Sequence, residues 1–324
     1  MTQRINYIDV SKGVCILLVM LIHIGVPEPI PNISIAKVPL FFILSGFFFK
    51  DDQKTFAEKT LKGYKRLIIP FLFFYLLSYL LYYVAGFLYP PFYEMTEASG
   101  ILDCFTQKQY FNGPLWFLPC LFIVQLLTNG ILALSKQTLV RTVLVVIVGC
   151  AGFLLSVVEI DLPLAADTAM VAVPLFLLGF WSNKLCLFKK YGIILLCASL
   201  GVYAIAYFSS PFDIAMSLNR YNVNIFFFYA LCIFFSFMVI LFCKMLIPNN
   251  RYIAYIGRNT LLLLCTHHII YRPVKLVLWK FVNPTVEPYL TLVFTLIICL
   301  LLVPIFERWL PWAIGKSVIS QRSS

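Results

Sequence analysis

Lys12 and His23, eleven residues apart near the amino terminus, are the first side chains whose types and spacing could do chemistry together. In an α-helix each residue turns about 100° and rises about 1.5 Å, so this interval ends about 20° past three full turns and about 16.5 Å along the axis. The ammonium and the imidazole therefore leave on one face. A cation holds phosphate, and an imidazole takes and returns protons near neutral pH. The pair suits a long ligand with a phosphate head and a reactive far end, as in an acyl-coenzyme A. All three histidines, His23, His267 and His268, lie in apolar stretches, where ionisable groups are costly and mark functional positions. Counted from Lys12 and from Arg258, His23 and His267 lie about 14–17 Å in, roughly halfway across a membrane. His268 points about 100° away from His267 and is expected off that face. Taken singly, Lys12 also reads as a surface anchor, and a membrane histidine as a hydrogen-bond partner for a neighbouring helix. The shared face and the matched depth favour a site.

The elements that must carry these residues are membrane spans. The chain of 324 residues is 61% hydrophobic and 12% charged, with a mean hydropathy of +0.92, whereas soluble domains carry about 25% charged residues. An all-α integral membrane fold is expected: one domain over 1–324, a single bundle of about ten helices. The candidate spans are 12–26, 36–49, 65–88, 115–134, 139–158, 168–183, 191–208, 223–246, 258–279 and 288–310. The second and sixth are short and contain Gly46 and Gly179, which suits helices inside the bundle. Gly13 to Val26 ends in Pro27-Glu28-Pro29 without a small-x-small cleavage site, so a retained helix is expected rather than a signal peptide. With ten spans, 19 of the 25 Lys and Arg fall on the side of the termini, and nine of the 14 acids on the other. The positive-inside rule then places both termini in the cytoplasm. It also accounts for the net charge of +11 without nucleic acid. No repeat and no inverted duplication stands out. Of ten cysteines, nine lie in or beside apolar segments and only Cys104 in a polar loop. None has metal-ligand spacing, so no metal is expected and the cysteines read as small buried apolar residues.

Further candidates surround the first pair. Lys62, Lys65 and Arg66 join Lys12 at the cytoplasmic lip, either holding the donor's phosphates or forming an ordinary positive loop. Asp9, one turn before Lys12, would pair with it and hold it. Ser45 either lines the donor path or bonds the carbonyl four residues back. Trp116 falls at the outer interface, as an aromatic-belt residue or a platform for a sugar ring. Asp167 opens a short helix, as an N-cap or as a carboxylate that orients sugar hydroxyls.

Lys12-x10-His23, within Tyr7-Ile8-Asp9-Val10-Ser11-Lys12-Gly13-Val14, resembles the Arg/Lys-x10-His signature of the acyltransferase-3 family of membrane O-acyltransferases. Val38 to Phe47 is similar to the second-helix Phe-x-Ser-Gly-Phe motif of that family, and Lys65 to Pro70 to its basic third-helix start. Gly113 to Pro119, Asp167-Thr168-Ala169 through Leu178-Gly179, and Ile256 to Thr260 before His267 resemble the branch that includes fucose 4-O-acetylases. The resemblance implies transfer of an acyl group, usually acetyl, from coenzyme A to a sugar hydroxyl of a surface polysaccharide or its lipid-linked precursor. It implies a bacterial cytoplasmic membrane, with His23 as general base and His267 as a second proton carrier or acceptor contact. Many members carry Arg-x-x-Arg at the third helix, where this chain has Lys62, Lys65 and Arg66. A lysine is a point charge without the fork of arginine. The competing function is a transporter or flippase for a lipid-linked sugar, which also explains many spans and intramembrane histidines. The partners implied are the acyl-CoA, the sugar acceptor and membrane lipid, with homo-oligomerisation open.

Overall fold

The computed structural model describes residues 6–52, 54–92, 111–209 and 212–316. Among them nine helices are long and apolar enough to cross a membrane. They are α1 (Asn6–Ile24), α3 (Phe56–Gly86), α4, whose span Gly113–Leu134 includes a leading 3-10 turn, α5 (Thr138–Val157), α6 (Pro163–Lys184 with its leading turn), α7 (Gly192–Ser209), α8 (Ile225–Leu246), α10 (Thr260–Leu278) and α11 (Glu287–Trp309). Shorter helices include α2 (Lys37–Phe47), α9 (Arg251–Arg258) and a single turn at Leu187–Lys190. Among the described residues, strand is confined to two-residue β1 (Ile214–Ala215) paired antiparallel with β2 (Arg220–Tyr221). The fold is therefore the expected all-α membrane architecture. Its outer faces carry exposed large apolar residues such as Leu88, Phe208 and Phe226, a surface that suits lipid. Most of loop 89–114, with Glu94, Glu97, Asp103 and Cys104, lies outside the described residues.

Two expectations are corrected here. Cysteines are not uniformly buried: Cys150, Cys186 and Cys197 are exposed, Cys150 and Cys197 because α5 and α7 turn most of their surface outward, and Cys186 in the turn that follows α6. The third span starts at Phe56 rather than at 65, so that it takes in Lys62 as well as Lys65 and Arg66. α3 runs unbroken for 31 residues from Phe56, started by a capping box in which Thr55 and Glu58 bond reciprocally. A π turn covers Tyr64–Ile68, with Ile69 N–H donating to the Tyr64 carbonyl. Pro70 has no N–H to offer the Arg66 carbonyl. That carbonyl instead faces Gly315, at φ +66°, where an added Cβ would come within 2.8 Å of it.

Glycines set the helix spacing around the site. At the crossing of α2 with α6, a Cβ on Gly46 would strike the Phe176 carbonyl, and one on Gly179 the Ile43 carbonyl. The two helices singled out as short thus touch backbone to backbone. The same reciprocity joins α1 to α9: Gly13 abuts the Ile253 carbonyl and Gly257 the Asp9 carbonyl. The eleven residues of α2 rise only about 16.5 Å, and its last carbonyl is satisfied by Asn183 Nδ2 from α6 at 2.7 Å.

Candidate active site

Lys12, on α1, rests its Nζ 3.9 Å above the Phe48 ring, which the capped end of α2 holds in place. Both line a cavity of about 450 Å³ between α1, α2, α3, α4, α6 and α10. Ser45, Lys62 and Arg66 line it too, as expected, while Lys65 does not. Three further cations at its mouth went unselected in the sequence: Lys50, Lys54 and Lys59. Six cations therefore face the cavity against one carboxylate, Asp52. Lys59 is partly neutralised by Asp51 at 3.6 Å and Asp52 at 3.9 Å, and Asp51 also reaches Arg141 at 3.9 Å. Its apolar walls include Phe41, Phe117, Leu118 and Leu264.

One turn beyond Leu264 the lining face of α10 continues into His267 and His268, and here His23 arrives from α1. Its ring centroid lies 5.5 Å from that of His267 and 5.6 Å from that of His268. The expectation that His268 stands apart is corrected: the two α10 rings diverge, and His23 sits between them. α1 begins at Asn6, and His23 falls in its last turn, beside rings on the middle of α10. Gly25, at φ +88°, ends the helix, with its N–H on the Leu21 carbonyl. Lys275 Nζ donates to the Ile24 carbonyl at 3.4 Å, a cation at the negative end of the helix. His23 is exposed, whereas His267 is fully buried and His268 is 5% exposed.

The surroundings of the cluster include groups that the sequence reading passed over. Arg272 Nη2 lies 3.5 Å from His268 Nε2, and its guanidinium sits 5.5 Å from the Tyr82 ring centroid. Tyr82 donates to the His268 carbonyl at 3.3 Å. Asn112, wholly buried, donates to Ser78 Oγ at 2.8 Å and to the Cys265 carbonyl at 2.9 Å, tying α3 to α10. The start of Gly113 to Pro119 is thereby pinned beside His268. Lys37 begins α2, with its carbonyl accepting from Cys15 Sγ at 2.9 Å.

Asp9 is buried, with its carbonyl against Gly257. Two other expected site residues do not line the cavity. Trp116 is buried rather than in an interfacial belt, edge-on to Phe117 at 6.1 Å; it stands directly behind a wall residue of the cavity. Asp167 is completely buried and is not a lining residue. Its neighbour Thr168 bonds the Met216 carbonyl at 2.9 Å, fastening α6 to the segment between the two short strands.

The profile described as an acyltransferase domain, that of acyltransferase 3, matches residues 5–304. The chain belongs to the acyltransferase-3 family. No curated protein and no solved structure is similar enough to match. The family match spans Lys12, the basic cavity and the three histidines together. Family membership makes the protein a membrane acyltransferase. No group of three or more possible metal ligands occurs among the described residues.

Proposed function

We propose that this protein is a membrane O-acyltransferase that moves an acetyl group from coenzyme A to a sugar hydroxyl. The acceptor would be a bacterial cell-surface polysaccharide or its lipid-linked precursor, and the home the cytoplasmic membrane with both termini inside. The observation that carries the reading is the juxtaposition of a six-cation cavity with a three-histidine cluster one helical turn beyond it. A phosphate-rich donor meets the cations of Lys12, Lys62 and Arg66 first. The donor's far end would extend past Ser45 and Phe117 toward the imidazoles, which stand one helical turn beyond the cavity lining and are not part of it.

His23 is the exposed ring of the cluster and serves as the general base. It takes the proton of the sugar hydroxyl as that oxygen attacks the thioester carbon, and returns it to the leaving thiolate. Water is kept from the deeper rings by the packing of Tyr82, Phe111 and Trp116 around the start of α4. Lys12 is placed by Phe48 and by the buried Asp9 turn below it. Asp167 acts at a distance, by holding the α6 side of the bundle.

The test is release of free coenzyme A thiol from acetyl-coenzyme A by the purified full chain in lipid nanodiscs, with and without a panel of methyl glycosides. Acceptor-dependent release that His23→Ala abolishes supports the proposal. Glycoside movement across vesicles with no thiol release would refute it in favour of a transporter.

A further inference from the structure

His267 and His268 differ in which ring nitrogen is already engaged. The Leu263 carbonyl can only accept, so at 2.7 Å from His267 Nδ1 it fixes the proton there and leaves Nε2 a bare acceptor. A guanidinium can only donate, so Arg272 beside His268 Nε2 makes that nitrogen the acceptor and keeps the proton on Nδ1. The two remaining nitrogens, His267 Nε2 and His268 Nδ1, have no hydrogen-bond partner among the described residues. Both belong to buried side chains, and a buried polar atom left unpaired costs about 1–3 kcal/mol. Two such atoms beside the exposed ring of His23 await a ligand with both a proton to give and an oxygen to receive one.

We propose that His268 Nδ1–H donates a hydrogen bond to the thioester oxygen as negative charge develops there, and that Arg272 is the positioning residue that holds His268 in this tautomer. The inference rests on the reading of the cluster as the place of transfer. In the step, the hydroxyl oxygen bonds the carbonyl carbon and its proton passes to His23. The C=O electron pair moves onto oxygen, which receives His268 Nδ1–H. The pair then returns, the C–S bond breaks, and the thiolate takes the proton from His23. The products are an ester and free coenzyme A thiol, with nothing unbalanced. His267 Nε2, the opposite pole, accepts from the protonated His23 and steadies it. Arg272 is itself steadied by the face of Tyr82, whose hydroxyl bonds the His268 carbonyl.

With acetyl-coenzyme A and methyl glycosides as probes, His268→Ala should lower kcat about 100- to 1000-fold, the usual loss for one oxyanion donor. KM for the donor should stay within about twofold, since the interaction exists only in the transition state. His268→Asn places an amide N–H near the position of Nδ1–H and should recover about tenfold or more over alanine. In protein carrying ¹⁵N-labelled histidine, the ring signals of His268 should report Nδ1–H in wild type and in Arg272→Lys, and a mixture of tautomers in Arg272→Leu. That measurement needs neither donor nor acceptor, and the lysine variant covers the case where leucine prevents folding. Wild-type kcat in His268→Ala, asparagine no better than alanine, or Nε2–H in the wild type would each overturn the inference. If His23→Ala abolishes transfer while His268→Ala leaves it intact, this inference alone falls. If His23→Ala transfers normally, the underlying site reading falls first.

Discussion

The two ends of the site are built on opposite principles. At the Lys12 end, charge is plentiful, mostly exposed and shared among six cations on α1, α3 and the segment between α2 and α3. At the histidine end, the engaged polar groups are held by few and specific partners: His267 by the Leu263 carbonyl, His268 by Arg272, Asn112 by Ser78 and the Cys265 carbonyl. The first end can lose a member and redistribute the load. The second cannot, because water does not replace a lost partner in a buried site. Binding of a flexible polyanion tolerates loose geometry, whereas proton transfer requires heavy-atom distances of about 2.6–3.2 Å. The contrast follows from what each end has to do.

The sharpest way to break this comparison is to substitute His23. His23→Ala should reduce acceptor-dependent thiol release about 10²- to 10⁴-fold, the usual span for a general base, while acetyl-coenzyme A still binds by calorimetry. An equal loss of donor affinity would show that the two ends are not separable. Next in size is the backbone contact beneath Lys12. Gly257→Ala inserts a Cβ against the Asp9 carbonyl, and overpacking of this kind costs about 1–3 kcal/mol. We expect a thermal midpoint several degrees lower and a weaker donor KM, since α9 and the start of α1 must part. An unchanged midpoint would show that the crossing yields freely.

How much of this was legible before the structure depends on the type of signal. Hydrophobic runs of about twenty residues are self-contained, because a spanning helix satisfies its own backbone, so all nine long helices coincide with expected spans. Lys12 and His23 were legible because their spacing lies within one helix, and Gly46 and Gly179 because glycine in a short apolar helix signals close approach. The pairing of those two glycines with each other was not legible, since nothing in either segment encodes its partner. Lys37 and Asn112 escaped for the same reason: their contacts lie tens to more than a hundred residues away in the chain. Arg272 did carry a signal, since it stands one helical turn from His268; only its contact with Tyr82 lay out of reach. His268 was misjudged by treating a face of α10 as a flat wall. A third ring entering between two diverging ones makes both angles useful.

Smaller effects belong to the basic end, and they sharpen the comparison. Lys12→Ala should raise the KM for acetyl-coenzyme A about three- to tenfold with kcat nearly unchanged, because Phe48 holds that one cation in place. Arg66→Ala should do the same to a lesser degree, since Lys62 lies one turn away on the same cavity wall. Raising the salt should weaken donor binding in wild type and flatten the difference between these variants, as exposed charges separated by more than about 8–10 Å are screened near physiological ionic strength.

The smallest expected effect is the most diagnostic. Lys65 is adjacent in sequence to Arg66 and equally exposed, yet it does not line the cavity. The π turn over Tyr64–Ile68 changes the angular step in this stretch. Together with the helical step of about 100° between neighbours, it directs consecutive cations to different surroundings. Lys65→Ala should therefore shift the donor KM by less than about twofold, within the range of a solvated surface charge. If the basic end attracted the donor only through its total charge, Lys65→Ala and Arg66→Ala would be equivalent at every salt concentration. A measurable gap between these neighbours, persisting when the salt is raised, would mean that the wall of the cavity, and not its net charge alone, reads the phosphates.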